Sequence, residues 1–470
     1  MSKHCVRWKF YVVYSTILIS FLIILLGYID GNEAKSDLRL NKNNYSRFKV
    51  NGHNYSSISN HSSPFMSNYS FMTNHSFKSS FNSTDDGPNC RPIKSNATDD
   101  CFLTTAQIIE RNGYCAETHQ LTTEDGYRLQ FFRLRESCPR DCFGTNQPVV
   151  ILVHGMLGSS SDFVFAGVEK GLGFQLMYNG FDVWLLNLRG NVYGGLQNKP
   201  GDFWDFSFHE MGNYDLPAYI DYILDYTRQE KLFYVGFSMG TTSAYVLLSM
   251  RPDYNQKIIR MANMAPVVFL DHSETTVGGK MIVKISHWYE KTSNSVKANG
   301  YKKKPIKLLT APECLRPLKR YQCERIMVYT CSNKTLSHND KELWDSFFRT
   351  ALAGGSSKAV AHFLQISQSG IFRPYSYIET QNEELYQSKE PSPYELENVR
   401  VPILLIIGDG DQFTVQKNID DMRSRLTSCP SLEIIHVADA EFNHMDFFLA
   451  KDVVSLVYNP LIDYLKTGKV

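Results

Sequence analysis

The stretch Tyr234-Val235-Gly236-Phe237-Ser238-Met239-Gly240-Thr241-Thr242 places Gly-x-Ser-x-Gly between an apolar run and a helix-forming run. Leu232 to Val235 reads as a short buried strand, and Thr242 to Met250 as the first turns of a helix. A serine in such a strand-to-helix turn has a strained backbone and an outward hydroxyl, and the glycines on either side are needed because a Cβ there would collide with neighbouring elements. The five-residue pattern alone occurs often by chance in surface loops. The flanking strand and helix are what make it a nucleophile elbow.

A serine hydroxyl is a poor nucleophile at neutral pH and needs a base and an orienting acid. Both follow late in the chain. Val401 to Ile407 is an apolar run of strand length, closed by the turn Gly408-Asp409-Gly410-Asp411. Asp411 is favoured over Asp409 as the acid, with either able to serve simply as a turn former. Leu432 to His436 reads as the next strand, and His444 falls in the loop between it and the last helix. His444 is the candidate base. His209, His287 and His362 lie in helix or cap patterns and read as ordinary core or surface residues. Negative charge at attack requires preset N–H donors. The strand Pro148 to Val153 runs into the loop His154-Gly155-Met156-Leu157-Gly158, so Met156 and Met239 are the candidate oxyanion donors through their backbones. The order serine, acid, histidine specifies an α/β-hydrolase fold. That fold is a mostly parallel central sheet with helices on both faces, and a large helical cap is expected before the acid strand.

These residues carry a resemblance. From about residue 100 to the C-terminus the chain resembles the acid lipases, the group containing gastric lipase and lysosomal acid lipase. The matching pieces are Thr122-Thr123-Glu124-Asp125-Gly126-Tyr127, His154-Gly155-Met156-Leu157-Gly158-Ser159-Ser160, Asn187-Leu188-Arg189-Gly190-Asn191, Phe206-Ser207-Phe208-His209-Glu210-Met211 and Tyr214-Asp215-Leu216-Pro217-Ala218. Then come the elbow itself and Phe442-Asn443-His444-Met445-Asp446-Phe447, all in the family's order. The family usually has His and Gln on either side of the nucleophile. Here Phe237 and Met239 stand there, which keeps the backbone donor and implies a more apolar wall. The acid loop reads Gly-Asp-Gly-Asp instead of Gly-Gly-Lys-Asp, which leaves Asp409 and Asp411 to be distinguished.

Residues 268–398 form the insertion where such a fold carries its cap. Met281, Ile285, Trp288 and Tyr289 recur at helical spacing, as do Phe348, Leu352, Val360, Phe363 and Leu364 around the Gly354-Gly355 break. Any one of these helices reads as an amphipathic helix on the core. Together they suit a long acyl chain better than a small polar ester. The resemblance implies a lid within the cap, a disulfide between Cys314 and Cys323, and a free Cys331. Lys302-Lys303-Lys304 reads as a solvated loop.

The N-terminal part differs. Lys3, Arg7 and Lys9 precede an apolar run from Phe10 to Ile29, long enough to span a bilayer. Residues 1–31 therefore read as a signal peptide or an uncleaved signal anchor, and the resemblance favours cleavage. Residues 32–99 are rich in Asn and Ser and lack hydrophobic periodicity, so they are expected to be disordered. They carry sequons at Asn44, Asn54, Asn60, Asn68, Asn74, Asn82 and Asn96, with a further one at Asn333. They suit a glycosylated stalk, leader or propeptide in the secretory pathway. Of ten cysteines, Cys5 precedes the apolar run. The rest are odd in number, so at least one is free or pairs between chains. Cys138 and Cys142 are free to pair with each other or with Cys115; the partners of Cys90 and Cys101 are open.

A net charge of +1 argues against a nucleic-acid surface. No Cys/His cluster has zinc spacing and no Gly-rich phosphate loop follows a strand, so no cofactor is expected. Serine at the elbow, rather than aspartate, excludes epoxide and halide hydrolysis. The leading expectation for residues 100–470 is a serine lipase or steryl esterase acting at a lipid–water interface, secreted or lysosomal. The alternative is a non-catalytic, membrane-tethered adhesion or lipid-carrying module.

Overall fold

The computed structural model describes residues 103–137, 146–194, 203–275, 324, 339–340, 342–350 and 353–470. The N-terminal segments and their sequons, Cys90, Cys101, Cys138, Cys142, His287, Leu352, the 281–289 periodicity, Lys302–Lys304, Cys314, Cys323, Cys331 and Asn333 lie outside the described residues.

Eight strands form one sheet: β1 (Cys115–Thr122), β2 (Arg128–Arg135), β3 (Val149–Val153), β4 (Asp182–Leu185), β5 (Leu232–Phe237), β6 (Ile258–Met264), β7 (Ile403–Ile407) and β8 (Leu432–His436). Their spatial order is β1-β2-β4-β3-β5-β6-β7-β8. β1 and β2 pair antiparallel, and β2 meets β4 antiparallel. Every later pair is parallel. Parallel strands need crossovers on the sheet faces, so both faces are covered and the strands read as unbroken apolar runs. Val149 to Val153 and Ile403 to Ile407 are buried throughout.

Successive side chains on a strand point to opposite faces. Val149, Ile151 and Val153 enter one core, with Tyr234 of β5 and Ile403, Leu405 and Ile407 of β7. Val150 and Leu152 enter the other, with Val235, Phe237, Leu404 and Ile406. Among the helices are α1 (Leu172–Tyr178), α2 (Leu216–Thr227), α3 (Met239–Met250), α4 (Leu343–Thr350), α5 (Ser357–Ser369) and α6 (Asn459–Thr467). α2 and α3 cover the first core. α1, α4 and α6 cover the second. Each fully buried Leu, Ile or Phe here contributes about 1.5–3 kcal/mol of burial.

α4 and α5 belong to the insertion between β6 and β7. Trp344, Phe347 and Phe348 of α4 pack into the core beside Phe163 and Phe448. Phe363 and Ile366 of α5 reach the opposite core. These two helices are therefore amphipathic helices seated on the hydrolase body, the plainer of the two readings of their periodicity. Helix α3 begins at Met239, earlier than the sequence pattern suggested, because the elbow turns directly into helix. A short helix at Asp446–Leu449 intervenes between His444 and the last helix.

Three of the quoted motifs meet at Arg189, which is almost fully buried. Its guanidinium donates to Asp125 at 2.6 and 2.8 Å and to Asp215 at 2.8 Å, and lies 3.9 Å from the centre of the Tyr127 ring. Its backbone N–H also donates to Asp215, at 2.9 Å. Burial works against the cation, and the two carboxylates more than offset it. One cation thus ties the β1–β2 turn to the loop after β4 and to the start of α2. Breaking such a pair leaves a buried charge uncompensated. Arg189→Met is expected to cost about 3–5 kcal/mol in denaturant unfolding. Asp125→Asn is expected to cost much less, since Asp125 is partly exposed and Arg189 keeps Asp215. Equal losses for the two variants would contradict this arrangement.

Candidate active site

Ser238 occupies the tip of the turn after β5 with φ 51° and ψ −118°. A non-glycine residue in this region costs about 1–3 kcal/mol and persists only where neighbours impose it. Here they do. The Ser238 N–H donates to the Met264 carbonyl at 3.0 Å, and its own carbonyl accepts from the Thr241 N–H at 2.8 Å and hydroxyl at 2.6 Å. A Cβ on Gly236 would come within 2.9 Å of the Tyr234 ring, and one on Gly240 would strike the Val153 carbonyl. The steric expectation for both glycines is met.

The parallel strands deliver three loops to the same edge of the sheet. β5 ends at Ser238, β7 leads to Asp411 and β8 leads to His444. Nδ1 of His444 is 2.7 Å from Oδ2 of Asp411, and Nε2 is 2.9 Å from Oγ of Ser238. A carboxylate only accepts, so Nδ1 carries the proton, and Nε2 is left to accept from the serine hydroxyl. Asp411 is buried, and its other oxygen accepts from the Phe413 N–H at 2.8 Å. Asp409 lies elsewhere: it is exposed and pairs with His436 at 2.9 Å. The remaining candidates separate equally well. His209 bonds Tyr394, and His362 bonds Ser207 and the Arg373 carbonyl.

The Asn443 N–H and amide both donate to Oδ2 of Asp446, closing the loop around His444. Two aromatic rings flank the imidazole, Phe237 and Phe413, each with its centroid 4.9 Å away. Phe237 thus packs between the His444 ring and the Phe448 ring. Its parity with Phe233 and Val235 along β5 was the available signal. Phe413 carried none, because it sits in an irregular turn.

The loop after β3 lies beside the elbow because β3 and β5 are neighbours. Gly155 is pressed against it: a Cβ there would be 3.1 Å from that of Ser238. His154 fixes this loop from below. Its Nδ1 donates to the Gly155 carbonyl at 2.8 Å, and Nε2 accepts from the Leu188 N–H at 3.1 Å. Those partners require the neutral ring, and burial lowers its pKa to about 4. Met156 and Met239 line one narrow cavity together with Leu157, Met211, Gly354 and Gly355. Met239 is the first residue of α3, whose leading N–H groups have no partner within the helix. Among the described residues, one group has the composition of a cation site: Asp271, His272 and Asp421, away from the triad residues in the sequence.

An elbow serine, a histidine and a buried aspartate on the carboxyl edge of a mostly parallel sheet define an α/β-hydrolase. Residues 148–450 match the α/β-hydrolase fold family, and residues 105–167 match the partial α/β-hydrolase lipase region. The chain belongs to the lipase family within the α/β-hydrolases that includes the gastric lipases. It is 34% identical to Lipase 1 of Drosophila melanogaster, over 82% of this chain and 84% of that one. Identity is 31% with gastric triacylglycerol lipase of Bos taurus, over 78% and 92% of the two chains. With Lipase member M of Homo sapiens it is 30%, over 78% and 86%.

Asp162 follows the loop after β3 and accepts from the Ser159 N–H at 3.2 Å. Burial raises its pKa to about 7, against about 4 in an unfolded chain. Between those values the folded state holds a proton that the unfolded state has lost. The associated stability is complete below about pH 4 and is lost as pH rises through about 7. Asp162→Asn keeps the acceptor and cannot ionise. The melting temperature of wild type relative to this variant should therefore fall progressively between about pH 4 and pH 7. A difference independent of pH would show that Asp162 does not titrate in this range.

Proposed function

We propose that the protein is a serine lipase or esterase that cleaves carboxylic esters of neutral lipids, triacylglycerols or steryl esters, through an acyl-enzyme. The observation that carries this reading is the unbroken hydrogen-bond chain Ser238–His444–Asp411, at 2.9 and 2.7 Å, on a strained elbow. Ser238 Oγ attacks the ester carbonyl while His444 Nε2 takes its proton. The oxyanion is held by the Met239 and Met156 N–H groups. The imidazolium, stabilised by Asp411, then gives the proton to the leaving alkoxide as the ester C–O bond breaks. Water attacks the acyl-serine next, with its proton taken by His444 and returned to Ser238 as the fatty acid departs. No cofactor enters this cycle.

The substrate class rests on three supports. Relatives across most of the chain are named lipases, one of them a triacylglycerol lipase. Met156, Leu157, Met211 and Met239 supply an apolar part of the small cavity next to the elbow, alongside His154, Arg189, Asn191 and Ser356. In the sequence, the insertion at 268–398 falls where such a fold carries its cap. The non-catalytic alternative is disfavoured, because such a module would be expected to have lost part of its triad.

Passage through the secretory pathway, with secretion or lysosomal delivery, fits an oxidising compartment. Cys115 is disulfide-bonded. Among the described residues no helix is long and apolar enough to cross a membrane. Residues 10–29 lie outside them, and cleavage there remains part of the proposal, as do the glycans and the Cys314–Cys323 bond.

The test is fatty-acid release from emulsified triolein and cholesteryl oleate, from about pH 4.5 to about pH 8, by protein from a secretory host. Ser238→Ala should abolish release, and the ratio of the two substrates will name the preferred ester. Asp411→Asn should lower kcat on the order of 10³- to 10⁴-fold by disturbing the imidazole. Asp409→Asn should leave kcat within about twofold. Release that survives Ser238→Ala would sink the reading.

A further inference from the structure

Among the described residues, the insertion meets the loop after β3 at residues 353–355. The Ala353 N–H donates to the Leu157 carbonyl at 2.7 Å. Leu157 has φ 62°, a conformation that a leucine keeps only under constraint. Gly354 has φ 109°, and a Cβ there would come within 2.9 Å of the Gly190 carbonyl. A Cβ on Gly355 would press on the Leu157 side chain at 3.1 Å. The two glycines therefore let the stretch lie directly on the loops after β3 and β4. Ser356 Oγ then donates to the Trp204 carbonyl at 2.7 Å.

Next comes Lys358, in the first turn of α5, with 4% of its surface exposed. Its ammonium is 2.9 Å from Asp205, 3.7 Å from Glu210 and 2.6 Å from the Tyr377 hydroxyl. A buried ion pair adds little net stability compared with an apolar side chain of the same size, and its best-attested use is to fix register. Lys358 fixes the height of the stretch over the oxyanion turn. Gly354, Gly355 and Ser356 line the same cavity as Met156 and Met239.

We propose that residues 353–358 are a strut that sets the oxyanion turn, and that Lys358 is the positioning residue that locks it. The inference rests on the ester-hydrolase reading above. With the lock in place, the Ala353 N–H holds the Leu157 carbonyl and keeps the preceding Met156 peptide turned toward the reacting carbonyl. With the lock removed, the stretch lifts and the Met156 donor swings away from the developing oxyanion. The loss falls on the transition state rather than on the bound ester, so kcat drops and KM does not.

The experiment uses the full chain from a secretory host, with p-nitrophenyl butyrate as a soluble ester and active sites counted with a fluorophosphonate. Lys358→Met is expected to lower kcat per titrated site about tenfold or more, with KM within about twofold. Lys358→Arg is expected to restore much of it by keeping the charge. A purely structural lysine would lower the yield or the melting temperature and leave kcat per titrated site unchanged. That outcome, or a rise in KM alone, overturns the proposal. Should Lys358→Met fail to fold, Ser356→Ala and Tyr377→Phe decide. Each removes one bond of the strut and is expected to lower kcat about two- to fivefold, and unchanged kcat in both overturns it. If wild type and Ser238→Ala are equally inactive on all esters, the hydrolase reading itself fails and takes the strut with it. An active wild type with a normal Lys358→Met defeats the strut alone.

Discussion

The backbone of Ser238 is the constraint on which the rest is built. A positive φ at a non-glycine residue is unfavourable, so the surroundings must impose it. They do so by removing side chains from one side and supplying hydrogen bonds on the other. Gly236 and Gly240 let the turn press against Tyr234 and the Val153 carbonyl. The Met264 carbonyl and the Thr241 side chain hold the peptide in place. The outcome is a hydroxyl at the carboxyl edge of β5, next to the ends of β3 and β6. Parallel pairing then brings the loops after β7 and β8, with Asp411 and His444, to the same edge.

The loop after β3 cannot hold itself in this way, since it lacks regular structure. It is held by polar groups that are buried and nearly all paired. His154 ties its start to Leu188, and Arg189, one residue on, anchors that second loop to Asp125 and Asp215. The family-like motifs at Asp125, Asn187–Asn191 and Asp215 look unrelated in sequence. In space they are one ion cluster with the Tyr127 ring over it, linked through Leu188 and His154 to the loop after β3. Their value lies in specifying a geometry, because buried ion pairs are poor sources of net stability.

Most of the site was legible in the sequence because strands advertise themselves as apolar runs and the fold assigns a role to the loop after each. β8 was read to the residue, and β5 and β7 to within two. The sequence favoured Asp411 over Asp409 without excluding either, since both sit in the same Gly-Asp-Gly-Asp turn. A direction separates them: Asp411 turns under His444, while Asp409 turns out to His436. The insertion was the least legible part. Its periodicity identified helices, but not that α4 and α5 pack on opposite cores. The salt link from Lys358 to Asp205 spans residues too distant in sequence for any local pattern to suggest.

The charge states of this frame also bear on where the enzyme can work. Burial raises Glu210, yet the Lys358 ammonium, His209, the Ser207 N–H and Arg189 together outweigh it and hold the carboxyl at about 2. Glu117 behaves alike: burial is overcome by His119, Arg133 and Arg135, again at about 2. The buried rings of His154 and His362 stay neutral down to about 4 and about 3 because burial disfavours their cations. Mild acid therefore leaves all four groups as they are at neutrality. Asp162 has the opposite sign, its proton being favoured by burial and released only near neutrality. The ion pairs around Glu117 and Glu210 and the neutral rings of His154 and His362 therefore persist in mild acid, while burial favours the proton on Asp162 and also raises Asp215.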